Sequence, residues 1–307
     1  MTSTTPPSFE KLVKNFEFVR TLDTNPQIKT VTLLGTIFAK NAIITLEKLH
    51  FNENQTHNAA ELVTDFDEVT ANDVYFWSNA SMNSIVGKSD LKTGDKIKIN
   101  LVYPATEIHI RKYDEQKFHM IKETPEMYKS HVVPYIKEYQ NAGRLNWVYN
   151  ILFHGHEADR IVHNEPDQFI LLPDMKWSGH DMDSLYLLAI VYRKDIASVR
   201  DLNSSHKEWL ISLQNTIKRV VPEKYPQIED ASQLRIFIHY QPSYYHFHVH
   251  VVNIKHPGLR DGISVGKALL LDDVIDNLDF LGPEGYAKKN ITYVLGENHP
   301  LWEKFNQ

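Results

Sequence analysis

Hydrophobic and polar positions alternate in short segments through the first half of the chain. Residues 31–38 and 41–49 read as strands, and the run Lys96-Ile-Lys-Ile-Asn-Leu-Val-Tyr103 alternates with period two, the spacing of a strand with one buried face. The polar residues 52–58 predict a loop between the second and third of these. Pro104 suits a first helical turn and predicts a helix over 105–113. Thr124 and Pro125 supply an N-cap and first-turn pair for the next helix, whose apolar stripe is Tyr128, Val132, Tyr135, Ile136 and Tyr139. Gly143 suits the end of that helix, and a domain boundary is expected there, dividing the chain into 1–143 and 144–307.

The second half reads differently. Residues 158–163 and 168–172 are strand-like runs around the turn Asn164-Glu-Pro-Asp167, and 185–192 is apolar throughout, as a central strand would be. Ser205-His-Lys-Glu208 reads as a capping box before a helix with Trp209, Leu210, Leu213, Ile217 and Val220 on one face. Residues 234–240 and 246–254 predict two strands joined by Gln241-Pro-Ser-Tyr-Tyr245, and a helix over 267–278 and a strand over 291–295 follow. The pattern predicts an α+β protein: a strand-rich first domain, then a second with a mainly antiparallel sheet.

Composition narrows the function classes. The 307 residues suffice for two domains, and 42% hydrophobic with 23% charged residues excludes a disordered chain. Thirty-three basic and 39 acidic residues leave a net charge of −6 with no long basic run. That argues against coating a long nucleic acid but leaves room for a short nucleotide in a local pocket. The absence of cysteine removes disulfides, thiolate metal sites and cysteine nucleophiles. No stretch reaches the roughly 18 apolar residues of a membrane span, and Met1-Thr-Ser-Thr-Thr-Pro-Pro7 lacks the charged and apolar regions of a secretory signal. A cytoplasmic protein, with the nucleus as a second location, a poorly ordered N-terminus and no membrane partner, is the expectation. The unusual feature is the 16 histidines.

Three of them stand in His246-Phe-His248-Val-His250-Val-Val-Asn253. Strand side chains alternate, so His246, His248 and His250 share one face and Phe247, Val249 and Val251 the other. The second set is expected in the core and the first to face solvent, with His239 able to join from the preceding strand. A solvated, histidine-rich face is the bland reading, and two chemistries compete with it. His-x-His can clamp zinc at about 2.1 Å per bond. Residues four apart on a strand lie roughly 13 Å apart, however, so at most two of the three could share an ion. Alternatively, a neutral imidazole attacks phosphorus and forms a covalent phosphohistidine, while its neighbours orient it and donate to phosphate oxygens. A row of three suits this second scheme better.

The triad resembles the signature of the histidine-triad superfamily of nucleotide hydrolases and transferases. The longer string His239-Tyr-Gln-Pro-Ser-Tyr-Tyr-His-Phe-His-Val-His250 is similar to one branch, the scavenger mRNA-decapping enzymes. Val102-Tyr-Pro-Ala-Thr-Glu107, Trp147-Val-Tyr-Asn-Ile-Leu152, Glu157-Ala-Asp-Arg-Ile-Val162 and Leu172-Pro-Asp-Met-Lys-Trp177 resemble the same branch in the same order. The resemblance implies hydrolysis of the residual cap on a dinucleotide or short capped RNA, releasing 7-methylguanosine monophosphate and a diphosphate, without cofactor or metal. His248 would be the nucleophile, His246 and His250 its neighbours on phosphate oxygens, and His239 an assistant. Ser243, Tyr244 and Lys176 would meet the phosphates, and Lys267 stands where the branch usually has an arginine. Trp147 would stack the methylated base, Glu157 would accept from its edge, and Asp174, flanked by Pro173 and Met175, would add a polar contact. Asn72 and Tyr75 match cap-contacting positions of the first domain. A homodimer with exchanged first domains acting as lids is also implied. A cap-binding protein without turnover and a general dinucleoside-polyphosphate hydrolase are the alternatives.

Overall fold

The computed structural model describes residues 7–26, 28–48, 60, 63–72, 75–82, 97–175, 177, 179, 181–256 and 262–306. Contacts divide the chain into two compact units, Met1–Glu115 and Gln116–Gln307.

The first unit opens with a helix, α1 (Phe9–Lys14), capped by the Ser8 hydroxyl. Strands β1 (Glu17–Asn25), β2 (Thr30–Ile37) and β3 (Lys40–Lys48) follow, then β4 (Val63–Asn72), β5 (Tyr75–Met82) and β6 (Ile97–Val102). One antiparallel sheet has the order β1-β2-β3-β6, and β4 and β5 form a separate hairpin in which Asn72 lies opposite Tyr75. The side chains of these two residues lie outside the described set. Helix α2 (Glu107–Tyr113) buries Ile110 against Leu22, Ile43 and Ala105. It starts after Thr106 rather than at Pro104. The Thr106 hydroxyl and the ring of His109 satisfy each other's first-turn donors, so the cap sits two residues later than the proline suggests.

The second unit begins before the boundary expected at 143. Strand β7 (Phe118–Glu123) pairs with β14 (Ile291–Gly296) from the far end of the unit. The helical run that follows, α3, passes from Pro125–Met127 through a π-turn, Tyr128–Val132, into Val133–Asn141. Pro134 has no N–H to donate one turn back, and the backbone widens there so that the Val133 N–H reaches the Tyr128 carbonyl. The expected stripe is real: Tyr128, Val132, Tyr135 and Ile136 are buried in the core of the second unit. That packing moves the division to Glu115.

The main sheet of this unit is antiparallel, in the order β13-β11-β12-β10-β9-β8. Its strands are β8 (His163–Glu165), β9 (Phe169–Pro173), β10 (Tyr186–Val191), β11 (Leu234–His239), β12 (His248–Asn253) and β13 (Ala268–Leu270). Residues 158–160, expected in a strand, form a 3-10 turn. Helix α4 (Asn146–His154) covers one face of the sheet, and α5 (Lys207–Lys224) covers the other. Asn203, not Ser205, caps the turn leading into α5. Helices α6 (Leu271–Leu281) and α7 (Pro300–Phe305) complete the unit. Residues 268–270 lie in β13, so α6 starts later than expected. No helix among the described residues is long and apolar enough to cross a membrane.

The division makes a prediction about autonomy. Deleting residues 116–143 removes four buried side chains worth about 1.5–3 kcal/mol each, which rivals the roughly 5–15 kcal/mol stability of a whole domain. A chain starting at Gln116 should melt cooperatively by circular dichroism, whereas one starting at Arg144 should not. A cooperative melt from the shorter chain would overturn the assignment of α3 and β7 to this unit.

Candidate active site

Register explains where the histidines point. His248 lies opposite Ile190 and His250 opposite Leu188, while Val249 and Val251 lie opposite Ala189 and Leu187. Opposed residues share a face. The valines therefore enter the core beneath α5, and the histidines continue the layer of Ile170, Leu172 and Ile190 that α4 covers. The histidine face is not open to solvent as the sequence suggests: His246, His248 and His250 are 1%, 4% and 5% exposed. Alternation reports which face a residue takes but not what lies on it, and here both faces are covered.

Hydrogen bonds fix the rings. A carbonyl can only accept, so the bond of 2.8 Å between His248 Nδ1 and the His246 carbonyl places the proton on Nδ1. The lone pair is then on Nε2, which is buried and has no hydrogen-bond partner. His246, in the loop just before β12, donates from Nε2 to the Val191 carbonyl at 2.7 Å. His250 Nδ1 and the Tyr186 hydroxyl are in hydrogen-bond contact at 2.8 Å. His239 donates from Nε2 to the Gly262 carbonyl, and its ring lies 4.0 Å from that of His250.

The electrostatics favour neutral rings. Burial drives the His248 pKa down to about 3, helped by His239, His246 and Lys267 and opposed by the hydrogen bond to His246. Burial also lowers His246, with Lys194 acting in the same direction. Tyr244 is pushed far above the ordinary tyrosine range by burial and by the charge of Asp174, so its hydroxyl stays protonated.

Aromatic contacts join the base-stacking candidate to the nucleophile candidate. Tyr244 stacks on His248 with ring centroids 3.9 Å apart and planes 13° from parallel. Trp147, near the start of α4, meets Tyr244 edge-on at 4.9 Å. Trp147 is 44% exposed, so it is not a core residue and retains a face for a ligand. Glu157 adopts a left-handed backbone at the turn after α4, and its carboxylate pairs with Arg160. Arg160 also donates to the Pro173 carbonyl at 3.0 Å, which ties Glu157 to the end of β9 beside Asp174. The Asp174 N–H in turn bonds the Tyr186 carbonyl.

The remaining candidates divide. Met175 and Ser243 are exposed. Lys267 donates from Nζ to the Gln241 carbonyl at 2.7 Å, at the start of the loop carrying Ser243 and Tyr244. Lys176 lies outside the described residues. Sequence reading missed Arg160 and Tyr186. Arg160 carried a signal, three residues after an acid on a tight turn, but Tyr186 could be found only through its register with β12. A cleft of about 430 Å³ lined by Arg235, Val265, Asp273 and Lys289 contains none of these side chains, so chemistry and not volume marks the site.

The arrangement offers a neutral, buried imidazole with a free lone pair, a carbonyl to stabilise the charge it would gain, and a half-exposed indole nearby. Residues 11–116 match the family described as scavenger mRNA decapping enzyme N-terminal, and residues 146–266 match scavenger mRNA decapping enzyme C-term binding. The chain is 41% identical over 298 residues to the m7GpppX diphosphatase of Schizosaccharomyces pombe, covering 95% of each chain. It is 37% identical to that of Ascaris suum, with 96% of this chain and 94% of the other covered. Against the m7GpppX diphosphatase of Homo sapiens, identity is 35%, with 85% and 74% covered. With both halves matched and the likeness spanning nearly its whole length, the chain belongs to the scavenger mRNA decapping enzyme family.

Proposed function

We propose that this protein hydrolyses the residual 7-methylguanosine cap of a cap dinucleotide or short capped oligonucleotide, releasing 7-methylguanosine monophosphate and a nucleoside or oligonucleotide diphosphate. The observation that carries the reading is His248, neutral and oriented with an unpartnered Nε2. Its lone pair attacks the phosphorus bonded to the methylguanosine, the P–O bond to the diphosphate breaks, and the diphosphate leaves with that electron pair. The ring becomes a phosphoimidazolium, still bonded through Nδ1–H to the His246 carbonyl, whose dipole opposes the new positive charge. Water then attacks phosphorus, the P–N bond breaks, and the imidazole returns to its neutral form. His250, Ser243, Lys176 and Lys267 supply the phosphate with donors, while His246, whose Nε2 proton is held by the Val191 carbonyl, orients His248, and His239 assists from β11.

Methylation at N7 gives guanine a delocalised positive charge, which the exposed face of Trp147 stacks better than plain guanine. Glu157, steadied by Arg160, accepts from the N1–H and amino group of the base, and Asp174 adds a polar contact. Asn72 and Tyr75 of the first unit contribute to cap binding in a homodimer. The net charge of −6 supports short substrates over long transcripts. The defining experiment incubates pure protein with methylated and unmethylated cap dinucleotide and a long capped transcript, with product identification. Sedimentation of the same sample distinguishes one 35.7 kDa chain from two. Binding without products would favour the cap-binding alternative. Equal turnover of both dinucleotides would favour a general dinucleoside-polyphosphate hydrolase.

Four further outcomes are expected. His248→Asn should keep cap binding but lower turnover by roughly 10³-fold or more, because it removes the attacking nitrogen; substantial residual hydrolysis would sink the assignment. A chelator should leave the wild type active, and loss of activity restored by zinc would return the metal reading.

Trp147→Ala and Glu157→Ala should each weaken methylated-cap binding by about 1–3 kcal/mol. Only Trp147→Ala should erase much of the preference for methylated over unmethylated cap in a calorimetric titration. An unchanged preference would remove Trp147 from base recognition.

The pH dependence of stability follows from the depressed histidines. His248, at about 3, and His299, at about 4, lie below the ordinary histidine value of about 6.5. The unfolded chain therefore binds more protons between roughly pH 3 and 6.5, and stability falls as pH drops through that window. Urea midpoints should decrease from pH 7 to pH 5, and less steeply in His248→Asn. An equal slope in the variant would contradict a neutral buried His248.

A further inference from the structure

Glu123, the last residue of β7, is fully buried and accepts five hydrogen bonds. Arg200 Nε and Nη2 and the Tyr240 hydroxyl reach Oε1 at 3.0, 2.6 and 2.6 Å. Gln241 Nε2 and the Tyr293 hydroxyl reach Oε2 at 2.9 and 2.6 Å. Arg200 has no side-chain exposure, and it also donates to the Tyr286 and Lys289 carbonyls. None of these residues belongs to the site described above.

Two of the five donors, Tyr240 and Gln241, begin the loop that delivers Tyr244 and the histidine row. Gln241 extends the network in two directions. Its Oε1 accepts from the Tyr245 hydroxyl at 3.0 Å, and its carbonyl accepts from Lys267 Nζ at 2.7 Å. Tyr244, by contrast, has no polar tether: its hydroxyl is buried without a partner, as is Nε2 of His248 on which it stacks. Its ring is held by apolar packing with Leu145, Val148 and Ile190 and by the backbone that precedes it. A carboxylate has about four lone-pair sites, and here they are saturated. Moving residues 240–241 would strip donors from a charge that water cannot reach, which a buried carboxylate resists strongly.

We propose that Glu123 is a positioning residue for cap hydrolysis: its saturated carboxylate locks residues 240–245 so that Tyr244 stays flat on His248 and Lys267 stays beside the loop. This rests on the reading of His248 as nucleophile. The network contacts neither Trp147 nor Glu157 directly, so turnover should fall further than binding.

The test compares full-length wild type, Glu123→Gln and Tyr240→Phe on methylated cap dinucleotide, below their melting temperatures. Glu123→Gln replaces one accepting oxygen with a donor and should lower kcat at least tenfold while KM and cap-analogue binding stay within about threefold. Tyr240→Phe keeps the buried ion pair and removes one hydroxyl from the loop. It should lower kcat three- to tenfold, and it carries the test alone if Glu123→Gln fails to fold. The structural signature is the His248 ring proton resonance, shifted by the stacked Tyr244 ring; it should move in both variants. A folded Tyr240→Phe with kcat and His248 resonance unchanged would overturn the proposal. Failure of the wild type to hydrolyse cap, or full activity in His248→Asn, would instead overturn the underlying functional reading.

Discussion

An arginine and a glutamate removed from water constrain everything packed around them. Glu123 and Arg200 are both without side-chain exposure, and each charge must find all its partners inside the protein. Burial works against the Arg200 charge, while Tyr240 and Glu123 hold its pKa above the ordinary value. The partners come from segments far apart in sequence: β7, the turn at 199–201, the loop after β11, the turn at 286–289 and β14. Such a pair adds little net stability compared with an apolar replacement, but it penalises any arrangement that leaves one donor unmet. It therefore specifies one packing of these five segments, and the loop carrying Tyr244 is among them.

Burial of the histidine row has the opposite electrostatic logic. Here low polarity removes charge instead of pairing it. Each ring that could take a proton is given a carbonyl or hydroxyl partner on one nitrogen, and at His248 the other nitrogen is left bare. An exposed imidazole would spend part of its time protonated near neutral pH. A buried one keeps its lone pair well into acid, at the expense of a folded state that weakens as pH falls. The same burial thus sets reactivity and acid sensitivity together, and at His248 the stacked ring of Tyr244 contributes to it.

What the sequence revealed was what depends on local periodicity. The apolar run of β10 and the stripes of α3 and α5 are buried as expected, and β12 alternates as expected although its histidine face is covered and not open to solvent. Resemblance to the scavenger decapping branch assigned roles to His248, Trp147 and Glu157, and the structure links the rings of the first two through Tyr244. What remained hidden depends on pairing between distant segments. Nothing local in 118–123 announces β14 as its partner, and that pairing is why the boundary falls at Glu115 and not near Gly143. Glu123 and Arg200 are single charged residues in unremarkable surroundings, and only their joint burial gives them meaning. The cap at Asn203 and the strand at 268–270 were missed because neighbouring residues offered equally good local signals, and tertiary packing chose between them.

The geometry of the aromatic chain bears on how selectivity and chemistry are coupled. Trp147 touches Tyr244 edge-on, and Tyr244 lies flat on His248. On the proposed function, a base stacked on the open face of Trp147 is held by a ring already in register with the nucleophile, so the distance from base to attacked phosphorus is set by packing rather than by a mobile loop. Precision of this kind matters because misplacing a nucleophile by about 1 Å can cost roughly 100-fold in rate. A plain guanine, lacking the added positive charge, would sit less firmly on the indole. It would then lose rate as well as affinity, because its phosphorus would spend less time in line with Nε2. Discrimination of the methyl group is in this sense a mechanical consequence of three rings in contact.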